Sequence, residues 1–193
     1  MTTVLCTYFE LRLRRTDGAL ETGQMGRLWH LVHTSAARSG IAYAVSFPQW
    51  MRSGFGFGDI LRVFTADTTS AEALYDALEQ MHQAPDLADG SRVRRAPTVR
   101  ACEAFLMHRI PSVVSKRRKT VSLERAQALR EESLRRRIAW QQHLPFVHMR
   151  SSSGNAFRLV VERIAANPDQ QGIPNGYGLS RASQIVALPV VGS

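Results

Sequence analysis

Tyr8-Phe9-Glu10-Leu11-Arg12-Leu13-Arg14 decides how the first half of the chain folds, because apolar and polar side chains alternate along it. A period of two is that of a strand with one buried face. Thr16-Asp17-Gly18 breaks the run. The pattern then changes to helical spacing over residues 21–38, through Met25, Leu28, Trp29, Val32, Ala36 and Ala37, with Gly40 just past the expected end. Tyr43-Ala44-Val45-Ser46-Phe47 reads as a strand stopped by Pro48, residues 53–58 as a glycine-rich connection and residues 60–64 as another strand. A second helix is expected behind a cap at Thr69 or Ser70, with Glu72 in its first turn and Leu74, Leu78 and Met81 at helical spacing. Residues 85–91 read as loop, and residues 93–108 hold at least one more extended segment. The order β-α-β-β-α-β is that of a ferredoxin-like (RRM-like) domain, two helices on one face of a sheet. That fold hosts many functions and decides none.

The remainder differs in kind. Residues 115–140 are dominated by helix formers and arginine, with Leu123, Leu129, Leu134 and Ile138 as a sparse apolar stripe. An extended Pro145-Phe146-Val147-His148-Met149, a turn at Ser152-Ser153-Gly154, a strand over 157–163, a glycine-rich stretch at 172–178 and an extended 185–191 follow. The expected class is α+β: a ferredoxin-like domain at 1–108, then a basic helical and β-stranded region at 109–193.

Charge separates the two parts. The 193-residue chain carries +9, and residues 109–137, with 10 basic and 3 acidic side chains, hold +7 of it. Residues 1–108 are neutral, with 11 of each. So local an excess points to a polyanion, nucleic acid first. Lys116-Arg117-Arg118-Lys119, Arg125, Arg130 and Arg135-Arg136-Arg137 would line a helix able to lie along a duplex groove, with guanidinium forks on phosphates and guanine edges. A solvated charged face is the bland alternative, disfavoured because so few acids interleave. No stretch has membrane-spanning length and no leader pattern opens the chain, so a cytoplasmic protein without a membrane partner is expected. Cys6 and Cys102 match no zinc or redox spacing and read as small buried residues in a reducing compartment.

His30 and His33 stand three apart on the first helix, and periodicity alone makes His33 an ordinary helix-edge residue. Ser151, Ser152 and Ser153 follow Arg150, and Tyr177 sits between two glycines. There is no G-x-S-x-G, no Walker loop and no carboxylate cluster. Cleavage of a phosphodiester by such a chain is therefore expected to need neither metal nor cofactor. RNA allows it, because its 2′-hydroxyl is an internal nucleophile that a histidine can deprotonate.

Tyr8 and the residues after it, Gln24-Met25, Leu28-Trp29, Val32-His33 and Val45-Ser46-Phe47-Pro48 resemble the CRISPR repeat-processing endoribonuclease of type I-F systems. So do Leu144-Pro145-Phe146-Val147, Arg150-Ser151-x-Ser153, Phe157-Arg158-Leu159 and Tyr177-Gly178-Leu179-Ser180, in the family's order. The resemblance covers both ends of the chain and is loose over 55–100. It implies binding of the CRISPR repeat stem-loop, an arginine-rich helix in the stem's major groove, and metal-independent cutting at the 3′ base of the stem. The products would carry a 2′,3′-cyclic phosphate and a 5′-hydroxyl. It also implies that the protein stays on the hairpin and joins the backbone subunit of the type I-F surveillance complex.

Residue by residue, the resemblance makes His33 the base, with His30 as fallback, gives the ribose to Ser151 with Ser153 assisting, and has Tyr177 position the histidine. Phe157 would stack beneath the last base pair, though its place on a strand face with Leu159 and Val161 also suits a core role. Arg109 would read guanine, and Lys116, Arg117, Arg118, Lys119, Arg125 and Arg150 would contact RNA. One departure stands out: Pro111 occupies the position of the family's glutamine and cannot donate a hydrogen bond. Two competing functions remain at this point. One is a hairpin-binding cap without catalysis, and the other a basic binder without sequence preference.

Overall fold

A computed structural model describes residues 5–14, 21–51, 56–97, 101–108, 122–150 and 156–192. The opening alternation becomes β1 (Thr7–Leu13), whose Phe9, Leu11 and Leu13 are buried while Arg12 is exposed. Helix α1 (Glu21–Ser39) buries Met25, Leu28, Trp29, Val32 and Ala36. It ends at Gly40, whose φ of 66° suits glycine just beyond a helix. Strands β2 (Ala44–Ser46) and β3 (Ile60–Thr65) follow, then α2 (Thr68–Glu79).

The cap of α2 is Asp67, not Thr69 or Ser70: its carboxylate accepts from the Ser70 N–H at 2.7 Å. Asp67 precedes the first helical residue and reaches the N–H three positions on, which suits an N-cap. The helix thus starts earlier than expected, and Glu72 falls outside its first turn. The stretch read as loop contains a short helix, α3 (Ala84–Leu87), and a strand, β4 (Ala88–Gly90), followed by β5 (Arg94–Arg95). Proline in the first turn of α3 explains the misreading, because the same residue opens loops and short helices.

The first sheet is antiparallel throughout, in the order β2-β3-β1-β4, with β5 also on β1. This is the ferredoxin-like order, and the protein is α+β as expected. The fourth position in the sheet belongs to β4 and β5. β6 (Cys102–His108), inside the stretch expected to close this sheet, pairs elsewhere. It forms a second antiparallel sheet, β7-β8-β6-β9, with β7 (Phe146–Arg150), β8 (Ala156–Ala166) and β9 (Leu188–Pro189). Between them in sequence lies α4 (Leu123–Gln141), capped by Ser122. Residues 115–121, also expected to be helical, lie outside the described residues.

The two sheets share one apolar core. Phe47 from the first packs edge-on against Phe105 of β6 at 5.2 Å, and Val147, Met149, Leu159 and Val161 join the cluster built on α1. Gly26 permits a close approach: a Cβ there would collide with the His148 carbonyl oxygen, so only glycine lets α1 lie this near β7. The two cysteines are half-buried rather than buried, since each stands at the entry to a strand, and both are free thiols.

Candidate active site

The face of the first sheet that lacks helices is where an RRM stacks bases. Here it is closed. Arg62, only 2% exposed, donates from Nε and Nη2 to Glu10 at 2.8 and 2.6 Å, and from Nη1 to the Val191 carbonyl at 2.9 Å. Its guanidinium lies 5.0 Å over the Tyr8 ring. A buried, fully engaged arginine under the C-terminal chain leaves no platform for RNA, so the site must lie elsewhere.

It forms where α1 meets the turn at residues 175–179. Asn175 is buried, and its side-chain oxygen accepts from the N–H groups of Tyr177 (2.8 Å) and Leu179 (3.2 Å), shaping the turn from inside. Gly178 has a φ of 74°, and a Cβ there would stand 2.7 Å from the Tyr43 ring. The turn is tied to the first sheet by Val45 N–H to the Gly178 carbonyl at 2.9 Å, and to α1 by Trp29 Nε1–H to the Tyr177 carbonyl at 2.9 Å. Glycine at 178 and asparagine at 175 are therefore requirements of the turn.

This turn presents the Gly176 carbonyl 2.5 Å from His33 Nδ1. A carbonyl can only accept, so Nδ1 carries the proton and, in the neutral ring, Nε2 is left with a free lone pair. The same carbonyl accepts from the Tyr43 hydroxyl at 3.0 Å. Burial pushes that phenol far above its ordinary range, so it remains a donor. The Tyr177 ring lies 4.7 Å from His33, tilted by 32°, and Phe157 meets Tyr177 edge-on at 6.0 Å. His33 is thus held from two sides by a segment some 143 residues later.

His30 is placed differently. Its ring is 6.3 Å from that of His33, and its Nδ1 is buried with no partner among the described residues. Burial first, and His33 second, push its imidazole below the ordinary range. A proton placed on that buried Nδ1 would have no acceptor among the described residues.

The structure therefore brings His33, Tyr177 and Phe157 together. Phe157 also packs against the shared core, so the core role and the site contact coexist. Arg150 ends β7 opposite Ala156, the residue before Phe157. Ser151, Ser153, Arg109, Pro111, Lys116, Arg117, Arg118 and Lys119 lie outside the described residues. Arg125 is exposed in the first turns of α4, its N–H capped by Ser122 at 3.3 Å.

The expected apolar stripe of α4 is not buried: Leu123, Leu129 and Ile138 are 55%, 54% and 38% exposed. The helix buries too little apolar surface to be held by packing, and Arg125 and Arg135 are exposed along it. Sequence reasoning missed Asn175, Tyr43 and Trp29 as supports. Asn-Gly-Tyr-Gly is made of turn formers, but it engages Trp29, His33 and Tyr43 through its own backbone carbonyls, which no motif records.

Among the described residues no helix is long and apolar enough to cross a membrane. No curated protein matches the chain. The profile of one family, described as CRISPR-associated protein (Cas_Csy4), matches residues 8–190, from the first strand to the last. That span contains the α1 histidines, the basic helix and the turn at 175–179, so the chain belongs to the Csy4 family of CRISPR-associated proteins, endoribonucleases that bind CRISPR repeat RNA and process it.

Proposed function

We propose that this protein cuts precursor CRISPR RNA at the 3′ base of the repeat stem by a metal-independent transesterification, with His33 as general base. The observation that carries the proposal is the 2.5 Å contact between His33 Nδ1 and the Gly176 carbonyl, which frees Nε2 to accept a proton. Nε2 takes the proton of the 2′-hydroxyl, and the 2′-oxygen attacks the adjacent phosphorus. The bond from phosphorus to the 5′-oxygen breaks, and that oxygen takes a proton from solvent. The products are a 2′,3′-cyclic phosphate and a 5′-hydroxyl. Tyr177 and the Gly176 carbonyl hold the imidazole, and the carbonyl stabilises the imidazolium once formed.

Ser151 would orient the ribose and Ser153 the neighbouring backbone, from the connection that follows β7. Phe157 would stop the stem beneath its last base pair, and Arg109, Arg150 and the basic residues 116–119 and 125 would grip it. The cut hairpin would remain bound, and the protein would join the backbone subunit of the type I-F surveillance complex.

His33→Ala is expected to abolish cutting of repeat RNA while leaving hairpin affinity within about twofold, because the ring contributes chemistry and not grip. Wild-type cutting should persist in excess chelator. If His33→Ala cuts as fast as wild type, the base is misassigned. If wild type binds the hairpin and never cuts it, the protein is a binding cap.

A further inference from the structure

The β7–β8 hairpin has two faces, and only one is used above. Val147, Met149 and Leu159 point inward to α1, and Phe157, on the same side, meets Tyr177. The outward face is formed by the alternate residues. His148 stands opposite Arg158, and Phe146 opposite Val160. The Arg158 guanidinium lies 4.6 Å over the Phe146 ring, and the His148 ring meets Phe146 edge-on at 5.4 Å. Arg158 and His148 are exposed and Phe146 is half-buried. Arg158 has no carboxylate partner among the described residues.

Folded proteins usually neutralise an exposed arginine or leave it free to move. This one lies over an aromatic ring beside an imidazole, on the opposite face of the hairpin from Phe157. A guanidinium plane fixed on a ring presents both a stacking surface and a phosphate-binding fork. Single-stranded nucleic acid is bound by that combination of aromatic and cationic groups. With the base of a stem at Phe157, as proposed, the unpaired strands would leave beside this hairpin. We infer that the outward face, Phe146, His148 and Arg158, is a second RNA contact that takes unpaired nucleotides flanking the base of the stem. The inference rests on the function proposed above.

The test compares wild type with Arg158→Ala and Arg158→Lys by fluorescence anisotropy. Three RNAs carry 2′-deoxy sugar at the cut site: the bare repeat hairpin, the hairpin with its 5′ flank, and the hairpin with its 3′ flank. Wild type should bind at least one flanked RNA more tightly than the bare hairpin. Arg158→Ala should weaken that RNA by about tenfold while leaving the bare hairpin unchanged. Lysine, which keeps charge without a planar stack, should recover only part of the loss. The flank that responds identifies the strand.

Equal loss on all three RNAs would overturn the inference, because Arg158 would then be a stem contact or a fold support. So would no loss on any, which would leave the face to a protein partner. Failure of wild type to bind the bare hairpin would instead overturn the proposed function.

Discussion

Asn175 tests the assembly of the site without touching any reacting group. Its side-chain oxygen is the acceptor for two buried N–H groups, those of Tyr177 and Leu179, at 2.8 and 3.2 Å. Asn175→Ala strands both, and an unsatisfied buried donor costs roughly 1–3 kcal/mol, less for the longer bond, so the loss should be about 3 kcal/mol. For a domain of this size that lowers Tm by roughly 6–12 °C. The turn also sets the Gly176 carbonyl against His33. Single-turnover cleavage of repeat RNA, measured well below the variant's Tm, should therefore fall about ten- to a hundredfold. Asn175→Asp keeps an oxygen that accepts both N–H groups and should recover most of the stability and the rate. The reasoning is refuted if Asn175→Ala melts within about 1 °C of wild type, or if Asp is no better than Ala.

Other perturbations probe separate supports. Gly178→Ala forces a side chain into left-handed backbone and onto the Tyr43 ring, and should cost about 2–4 kcal/mol by chemical denaturation. Arg62→Leu strands Glu10 and the Val191 carbonyl and should cost about 3 kcal/mol, of which a second change, Glu10→Leu, returns a part. Glu103 is pushed upward mainly by burial, with its Arg163 partner at 2.6 Å opposing the shift. A raised carboxylate stabilises the fold below its unfolded pKa and loses that contribution as pH rises through the folded value. Wild type should therefore lose Tm relative to Glu103→Gln as pH climbs from the ordinary carboxylate range toward neutrality. A pH-independent difference would count against the shift.

The first sheet was legible because its signals are local. Alternation in 8–14, helical spacing in 21–38 and the stop at Pro48 each depend on neighbours in sequence. Cys102–His108 was misassigned because alternation shows that a strand exists but not which sheet receives it. The site was half legible. His33 looks like an idle edge residue until Gly176 supplies a carbonyl, and a backbone atom 143 positions away leaves no mark on side-chain pattern. Tyr177 could be found only through the family words, and Asn175 only as a generic turn former. The exposure of Leu123 and Leu129 was unreadable, because helical spacing promises a face without promising something to cover it.

The clamp on His33 also has a consequence for biosynthesis. The histidine leaves the ribosome some 143 residues before the carbonyl that fixes its tautomer, which the tyrosine against its ring directly follows. A nascent or truncated polypeptide that has folded only its first sheet holds a free imidazole with no fixed orientation. Such an intermediate lacks both contacts that orient His33, which come into being only once the turn at 175–179 has been made.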